Sequence, residues 1–200
     1  TASTGNEALS FSRADYCVDT TTGVRQHANA VTAFMDNSFV YGSTADVQDK
    51  LREHKGGRMK VSATNMPPDA KDVDMIDFMA MCHPGFPCYA VGDARGNENI
   101  VLTALHTIWL REHNRLADLY SNKFPYWNDE QIFQAARKWL IAEWQVIVYT
   151  EYLTRPGLLF DSCPGLDSKA YKGWNAEANG QITVEFATTG FRWGHSAIPR

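Results

Sequence analysis

The chain has 200 residues, of which 44% are apolar and 21% charged, with a net charge of -4. A chain of this length can bury about 70% of its unfolded surface in one large domain. The composition excludes a disordered coil, a collagen-like repeat and a miniature disulfide scaffold; the acidic balance argues against a protein that coats nucleic acid, and no apolar run is long enough for a transmembrane segment.

Residues 1–27 are rich in Ser, Thr and Asp and carry no clear period, which predicts irregular structure. A short helical or turn segment is expected over 28–41. Residues 44–54 read as a short amphipathic helix, with Val47 and Leu51 four apart and Gly56-Gly57 ending it. Residues 58–90 read as loop, with Pro67-Pro68 and several aspartates. Within it, Cys82 and Cys88 flank His83-Pro84-Gly85-Phe86-Pro87. This spacing allows a disulfide worth about 2 kcal/mol in loop entropy, or two free thiols. Cys17 and Cys163 could pair with each other or with cysteines elsewhere.

The pattern then becomes helical. From Asn99 to Asn122, Val101, Leu105, Ile108, Trp109, Leu116 and Leu119 recur at helical spacing. A second helix is expected from Asp129 to Leu153. Asn128 and Gln131 form a capping-box pattern, Asp129 and Glu130 suit the positive end of the dipole, and Ile132, Ala136, Leu140, Glu143 and Ile147 share a face. Pro125 separates the two helices and Arg155-Pro156-Gly157 stops the second. Residues 156–184 read as loop, and a last helix is expected from about Glu185 to Arg200. The fold expected is mostly α, with long helices, extended loops and very little β. The start at Thr1 and the end at Arg200, with no leader pattern and no cap, read as an internal fragment forming part of one domain over 1–200, or as a processed protein.

Three constellations could carry chemistry. Thr32-Ala33-Phe34-Met35-Asp36-Asn37-Ser38 offers hydroxyl, carboxylate and carbonyl oxygens, the set a hard cation such as Ca²⁺ takes, although such clusters also serve as turns and caps. Gly92-Asp93-Ala94-Arg95-Gly96-Asn97-Glu98 precedes the first long helix. Its Arg and Glu read either as a cap or surface ion pair, or as a fixed cation and carboxylate over a ligand. Phe191-Arg192-Trp193-Gly194-His195 suits either a packed core histidine or an axial haem ligand with an arginine near a propionate. His106 and His113, seven apart, are too distant for one metal ion and read as structural, hydrogen-bonded packing residues.

In this order the segments resemble the animal haem peroxidase superfamily, of myeloperoxidase, peroxidasin and peroxinectin type. The resemblance runs from Ser12-Arg13 to the end. It is most specific in Gly92–Glu98, Leu102–Thr107 and Leu110–Ala117, is extended by Trp127–Glu130, Ala136-Arg137, Gln145 and Tyr149, and is completed by Phe191–Ser196. It implies the central part of that helical fold and a haem-dependent peroxidase, reducing hydrogen peroxide while oxidising small organic donors or halides. His195 would be the axial ligand to the iron of haem b, Arg95 the distal-side catalytic arginine, and Arg192 the partner of a propionate. Glu98 would be a carboxylate able to form a haem ester; Asn99 stands where the leukocyte enzyme has a sulfonium-forming methionine, so that link is not expected. Thr32, Phe34 (through its carbonyl), Asp36 and Ser38 would ligate calcium, and Cys82 and Cys88 would be a disulfide. A secreted protein follows, with possible matrix or cell-surface contacts.

The sequence departs from the family pattern in two places. The family's distal histidine lies upstream of the calcium loop, and none of His27, His54 or His83 has its Asp-His-Asp context. The asparagine that bonds the proximal histidine lies beyond Arg200. An isolated stretch of this kind is expected to be inactive. The rival readings are a peroxidase-like adhesion or matrix module, for which there is no RGD or KGD, and a cyclooxygenase-type fatty-acid oxygenase.

Overall fold

The computed structural model describes residues 15–153 and 173–197. Two compact units are distinguished, one of Phe34–Ala178 and one of Thr1–Ala33 with Asn179–Arg200. The expected stop at Arg155-Pro156-Gly157, the start of the resemblance at Ser12-Arg13, and Cys163 lie outside the described residues.

In the larger unit, α1 (Ser38–Tyr41) and α2 (Ala45–Leu51) come first. Thr44 caps α2 by accepting from the Val47 amide at 3.3 Å, and Val47 and Leu51 are buried as their spacing predicts. Gly57 then runs in a left-handed conformation (φ 68°). A Cβ there would lie 2.5 Å from Ile132 Cγ2 and from the Phe133 amide nitrogen, so only glycine lets this loop reach the start of the last long helix.

The loop over 58–90 contains one short 3₁₀ turn, Ala70–Val73, and two isolated bridges, Arg52 with Met59 and Asp69 with Tyr89. Buried asparagines from later in the chain satisfy its backbone. Asn114 accepts from the Met59 amide (2.8 Å) and donates to its carbonyl (3.0 Å), and Asn97 does the same at Tyr89 (2.9 Å for both). A long segment without ladder partners stays ordered only if such substitutes are found. Cys82 and Cys88 are disulfide-bonded, which settles the alternative left open by their spacing.

Helix α3 spans Ile100–Lys123, with Asn99 accepting from the Leu102 amide at 2.9 Å. Helix α4 spans Asp129–Ile147 and opens on the expected capping box, in which Asn128 and Gln131 exchange two 2.9 Å bonds. It ends six residues before the expected Leu153, passing into a π turn over Val148–Tyr152. The β-branched run Val146-Ile147-Val148 leads into that turn. The Thr150 hydroxyl takes the Val146 carbonyl at 2.7 Å, and the Leu153 amide bonds back to Val148.

α3 packs on α4, and the core gathers around Tyr41, Met59, Met75, Leu116, Phe133 and Leu140. The apolar face expected for α3 is a correction. Trp109 and Leu116 are buried, but Val101, Leu105, Ile108 and Leu119 are about half exposed or more. The face turned inward carries His106, Thr107, His113 and Asn114 among Leu110 and Ala117. Loop backbone and Tyr41 supply polar partners there, so polar side chains could be taken inside.

The smaller unit corrects the reading of 1–27 as irregular. β1 (Cys17–Val18) and β2 (Arg25–Gln26) form an antiparallel hairpin, pairing Cys17 with Gln26 and Val18 with Arg25. Asp19 makes the turn by accepting from the amides of Thr21 (2.8 Å) and Thr22 (3.3 Å), and Gly23 takes the left-handed position. Strands of two residues are too short to show alternation. Cys17 is exposed and free among the described residues. The last expected helix divides into α5 (Val184–Thr188) and a 3₁₀ segment over Gly190–Ala197. Gly190 and Gly194 are poor helix formers, and Thr189 leaves helical geometry at φ -123°.

Candidate functional site

Arg95 and Glu98 lie in the turn that leads into α3. The Asp93 carboxylate holds the arginine at both ends: Oδ1 accepts from the Arg95 amide and from Nε, both at 2.9 Å, and Oδ2 accepts from Nη2 at 2.7 Å. Asp93 is mostly buried (side chain 16% exposed) and Arg95 mostly exposed (63%), so the anchor sits in the protein and the cation faces outward. The paired guanidinium keeps the Asp93 carboxyl below the usual carboxylate range, and the same contact raises Arg95. The expected cap or ion pair between Arg95 and Glu98 is not what forms; the arginine's partner is two residues back. Glu98 is exposed and lines an open cleft of about 510 Å³ with Phe86, Pro87, Tyr89 and Ile100.

The oxygen-rich loop enters α1. Asp36 Oδ1 accepts from the Ser38 amide at 3.0 Å, and Asn37 takes a left-handed conformation (φ 56°, ψ 34°). Phe34, Asp36 and Ser38 lie in the larger unit and Thr32 in the smaller one. Among the described residues no three His, Cys, Asp or Glu side chains cluster as a metal site. The donors offered by the loop are hydroxyl and carbonyl oxygens with a single carboxylate, chemistry that suits Ca²⁺ rather than a transition metal.

Arg192 and His195 share the 3₁₀ segment of the smaller unit and are both exposed, as are Phe191 and Trp193. No core packing surrounds the imidazole of His195 among the described residues.

His113 is the buried hydrogen-bonded histidine expected from its place on the helix. Nε2 lies 2.9 Å from the Gly57 carbonyl, which can only accept, so Nε2 carries the proton; Nδ1 accepts from the Tyr41 hydroxyl at 2.8 Å. Burial lowers its pKa to about 4, with Arg52, Arg58 and Arg137 adding to the effect against the Gly57 bond. His106 is buried edge-on to Phe39 and hydrogen-bonded to the Phe39 backbone as expected, although its Nδ1 has no partner among the described residues. Behind His113, the Arg52 guanidinium lies 3.9 Å over the Phe133 ring and pairs with Asp129 (2.7 Å) and Glu130. Asp129 also accepts from the Gly57 amide at 2.7 Å. The grip of Asp93 and the Tyr41–His113–Gly57 chain were not anticipated. An Asp two residues before an Arg is a usable signal for the first; the second joins residues 72 and 56 apart in sequence, which no local pattern marks.

The family description "animal haem peroxidase" matches residues 1–200. The chain belongs to the animal haem peroxidase family. It is 36% identical to peroxinectin A of Dictyostelium discoideum over 176 residues, covering 86% of this chain and 32% of that protein. It is 34% identical to human lactoperoxidase over 210 residues, covering 99% and 29%. Among solved structures, peroxidase A from Dictyostelium discoideum matches with a TM-score of 0.73 at 35% identity, over 90% of this chain and 34% of that one. A fatty acid alpha-dioxygenase of Oryza sativa, with a TM-score of 0.50 at 18% identity over 70% of this chain and 21% of that one, shares the fold alone. The chain thus spans about a third of the length of these three peroxidases, and less of others such as rat thyroid peroxidase, of which it covers 20%. The mostly α architecture read from the sequence is the one this family has. Among the described residues no helix is long and apolar enough to cross a membrane.

Proposed function

We propose that the chain is the central part of a haem peroxidase that reduces hydrogen peroxide and oxidises small organic donors or halides. The observation that carries this reading is the family match over all 200 residues, with Arg95 at the motif position and held there by Asp93. The donor chemistry fits haem: an exposed imidazole among exposed aromatic rings at His195, and an exposed carboxylate on an open cleft at Glu98. His195 would hold the iron and Arg192 would meet a propionate. Glu98 would offer its carboxylate for an ester to a haem methyl group.

When bound, haem supplies the iron at which the peroxide O–O bond is cleaved and the capacity to take electrons from donors. Arg95 would stabilise negative charge developing on the leaving oxygen. Its Nε and Nη2 are committed to Asp93, so the Nη1 edge is what remains to meet an anion, and the orientation is set before any ligand arrives. In this reading the base that takes the peroxide proton is a histidine outside these residues. His27 bonds the Asp15 carbonyl and His54 pairs with Asp49, neither in a setting that suits the role. Thr32, the Phe34 carbonyl, Asp36 and Ser38 would bind calcium, with a second carboxylate from elsewhere. The Cys82–Cys88 disulfide supports a secreted, oxidising location.

The test is His195→Ala in the full chain, loaded with haem. The axial imidazole signature in the Soret and visible bands should be lost, together with peroxide consumption. An unchanged haem spectrum in the variant would sink the assignment.

A further inference from the structure

We infer that helix α4 holds the proposed calcium loop in its ligating shape, and that Gln145 is a positioning residue for the cation. The inference rests on the calcium reading above and names residues that reading does not contain. Two side-chain bonds join the loop to α4. Gln145 Nε2 donates to the Met35 carbonyl at 3.0 Å, across 110 positions of sequence, and Asn37 Nδ2 donates to the Leu140 carbonyl at 3.1 Å, across 103. Met35 lies between Phe34 and Asp36, and Asn37 between Asp36 and Ser38. The residues tied to α4 therefore alternate with the residues proposed to supply oxygen.

The two ties do different work. The Met35 carbonyl belongs to the peptide plane shared with Asp36, so the bond from Gln145 fixes that plane and the backbone from which the carboxylate projects. Asn37 is buried in the left-handed conformation that turns the chain between Asp36 and Ser38, and its amide bond to α4 holds that turn. The Asp36 carboxylate then closes the turn on the Ser38 amide at 3.0 Å. Gln145 itself is exposed. A long exposed side chain gives up rotamer freedom to reach a distant carbonyl, and a hydrogen bond of this kind returns little more than that. Its consequence lies in pre-organisation: a loop already in shape is ordered at less cost when the cation binds. The π turn over Val148–Tyr152 starts just beyond Gln145, so the register that brings Gln145 to Met35 is set immediately before the helix changes its winding.

The experiment titrates Ca²⁺ by calorimetry into the full chain after chelator treatment, for wild type, Asp36→Asn, Gln145→Met and Asn37→Gly, and records Tm in the calcium-free state. Asn37→Gly keeps the left-handed turn while removing the amide, and Gln145→Met keeps length while removing the donor. Expected is Ca²⁺ binding by wild type, loss of binding in Asp36→Asn, and binding weakened about tenfold in Gln145→Met with the calcium-free Tm unchanged. Asn37→Gly should weaken binding in the same way. Wild-type affinity in both Gln145→Met and Asn37→Gly overturns the positioning role and leaves the calcium reading standing. A lowered calcium-free Tm with unchanged affinity also overturns it, since the bonds would then serve packing alone. No binding by wild type, or equal binding by Asp36→Asn, overturns the calcium reading and this inference with it.

Discussion

Protonation of His113 would turn Nδ1 from an acceptor into a donor, facing the hydroxyl whose proton it now takes, with Arg52, Arg58 and Arg137 nearby and the ring buried against Tyr41 and Phe133. Its pKa of about 4 in the fold lies below the ordinary 6.5. The unfolded chain therefore binds the proton first. The stability this group contributes is complete above pH 6.5 and is lost as pH falls toward 4, on the order of 3 kcal/mol in all. Burial lowers the pKa of His106 as well, in the same sense. Urea unfolding measured from pH 7 to pH 4.5 should show stability declining throughout. His113→Phe should be about 2–4 kcal/mol less stable at pH 7, with the Tyr41 hydroxyl and the Gly57 carbonyl unpaired, and its pH dependence should be shallower. A flat wild-type profile would contradict the argument. At Asp93 the expected effect is functional. Asp93→Asn keeps the shape but weakens the grip on Arg95, so peroxide consumption should fall about tenfold while unfolding moves by ~1 kcal/mol, read by steady-state kinetics beside a melt. The sequence motif marks Arg95 as a candidate but not its attachment, since the spacing to Glu98 suggests a partner that the fold replaces with Asp93.

Elements were legible where local chemistry marks them. The capping box at Asn128 stands where its spacing predicts and forms, whereas Thr44 and Asn99, read only as the first residues of their helical stretches, turn out to be caps as well. Asn128→Ala should cost about 1 kcal/mol, measurable by urea unfolding; no loss would mean that tertiary contacts alone hold this end. Arg52 gives a reason that the loss should not be larger, since it pins Asp129 and Glu130 to the loop independently of the cap. The buried face of α3 was not legible. Hydrophobic periodicity assigns the core to Val101, Leu105 and Ile108, whereas the fold turns His106, His113 and Asn114 inward, because their partners are loop carbonyls and a tyrosine hydroxyl that no helix pattern contains. The hairpin at Cys17–Gln26 escaped for another reason: its two-residue strands leave only the Asp19 turn as a signal.

At the scale of the whole molecule, the family was legible because its motifs keep their order along the chain, from the oxygen-rich loop through Arg95 to His195, and the match over residues 1–200 bears this out. The long-range ties of the larger unit were not legible. Gln145 to Met35, Asn37 to Leu140 and Tyr41 to His113 each join residues more than seventy positions apart, and only the packing of α4 and α3 around the loops brings them together. The last of these has a practical side. The Tyr41 hydroxyl proton and the His113 Nε2 proton are both committed to partners in a site with no access to solvent. Protons held in this way exchange slowly with water and resonate far downfield of ordinary amides. The chain thus carries its own spectroscopic gauge at the meeting point of α1, α3 and the Gly57 loop, one that reports whether that core is closed without any label having to be introduced.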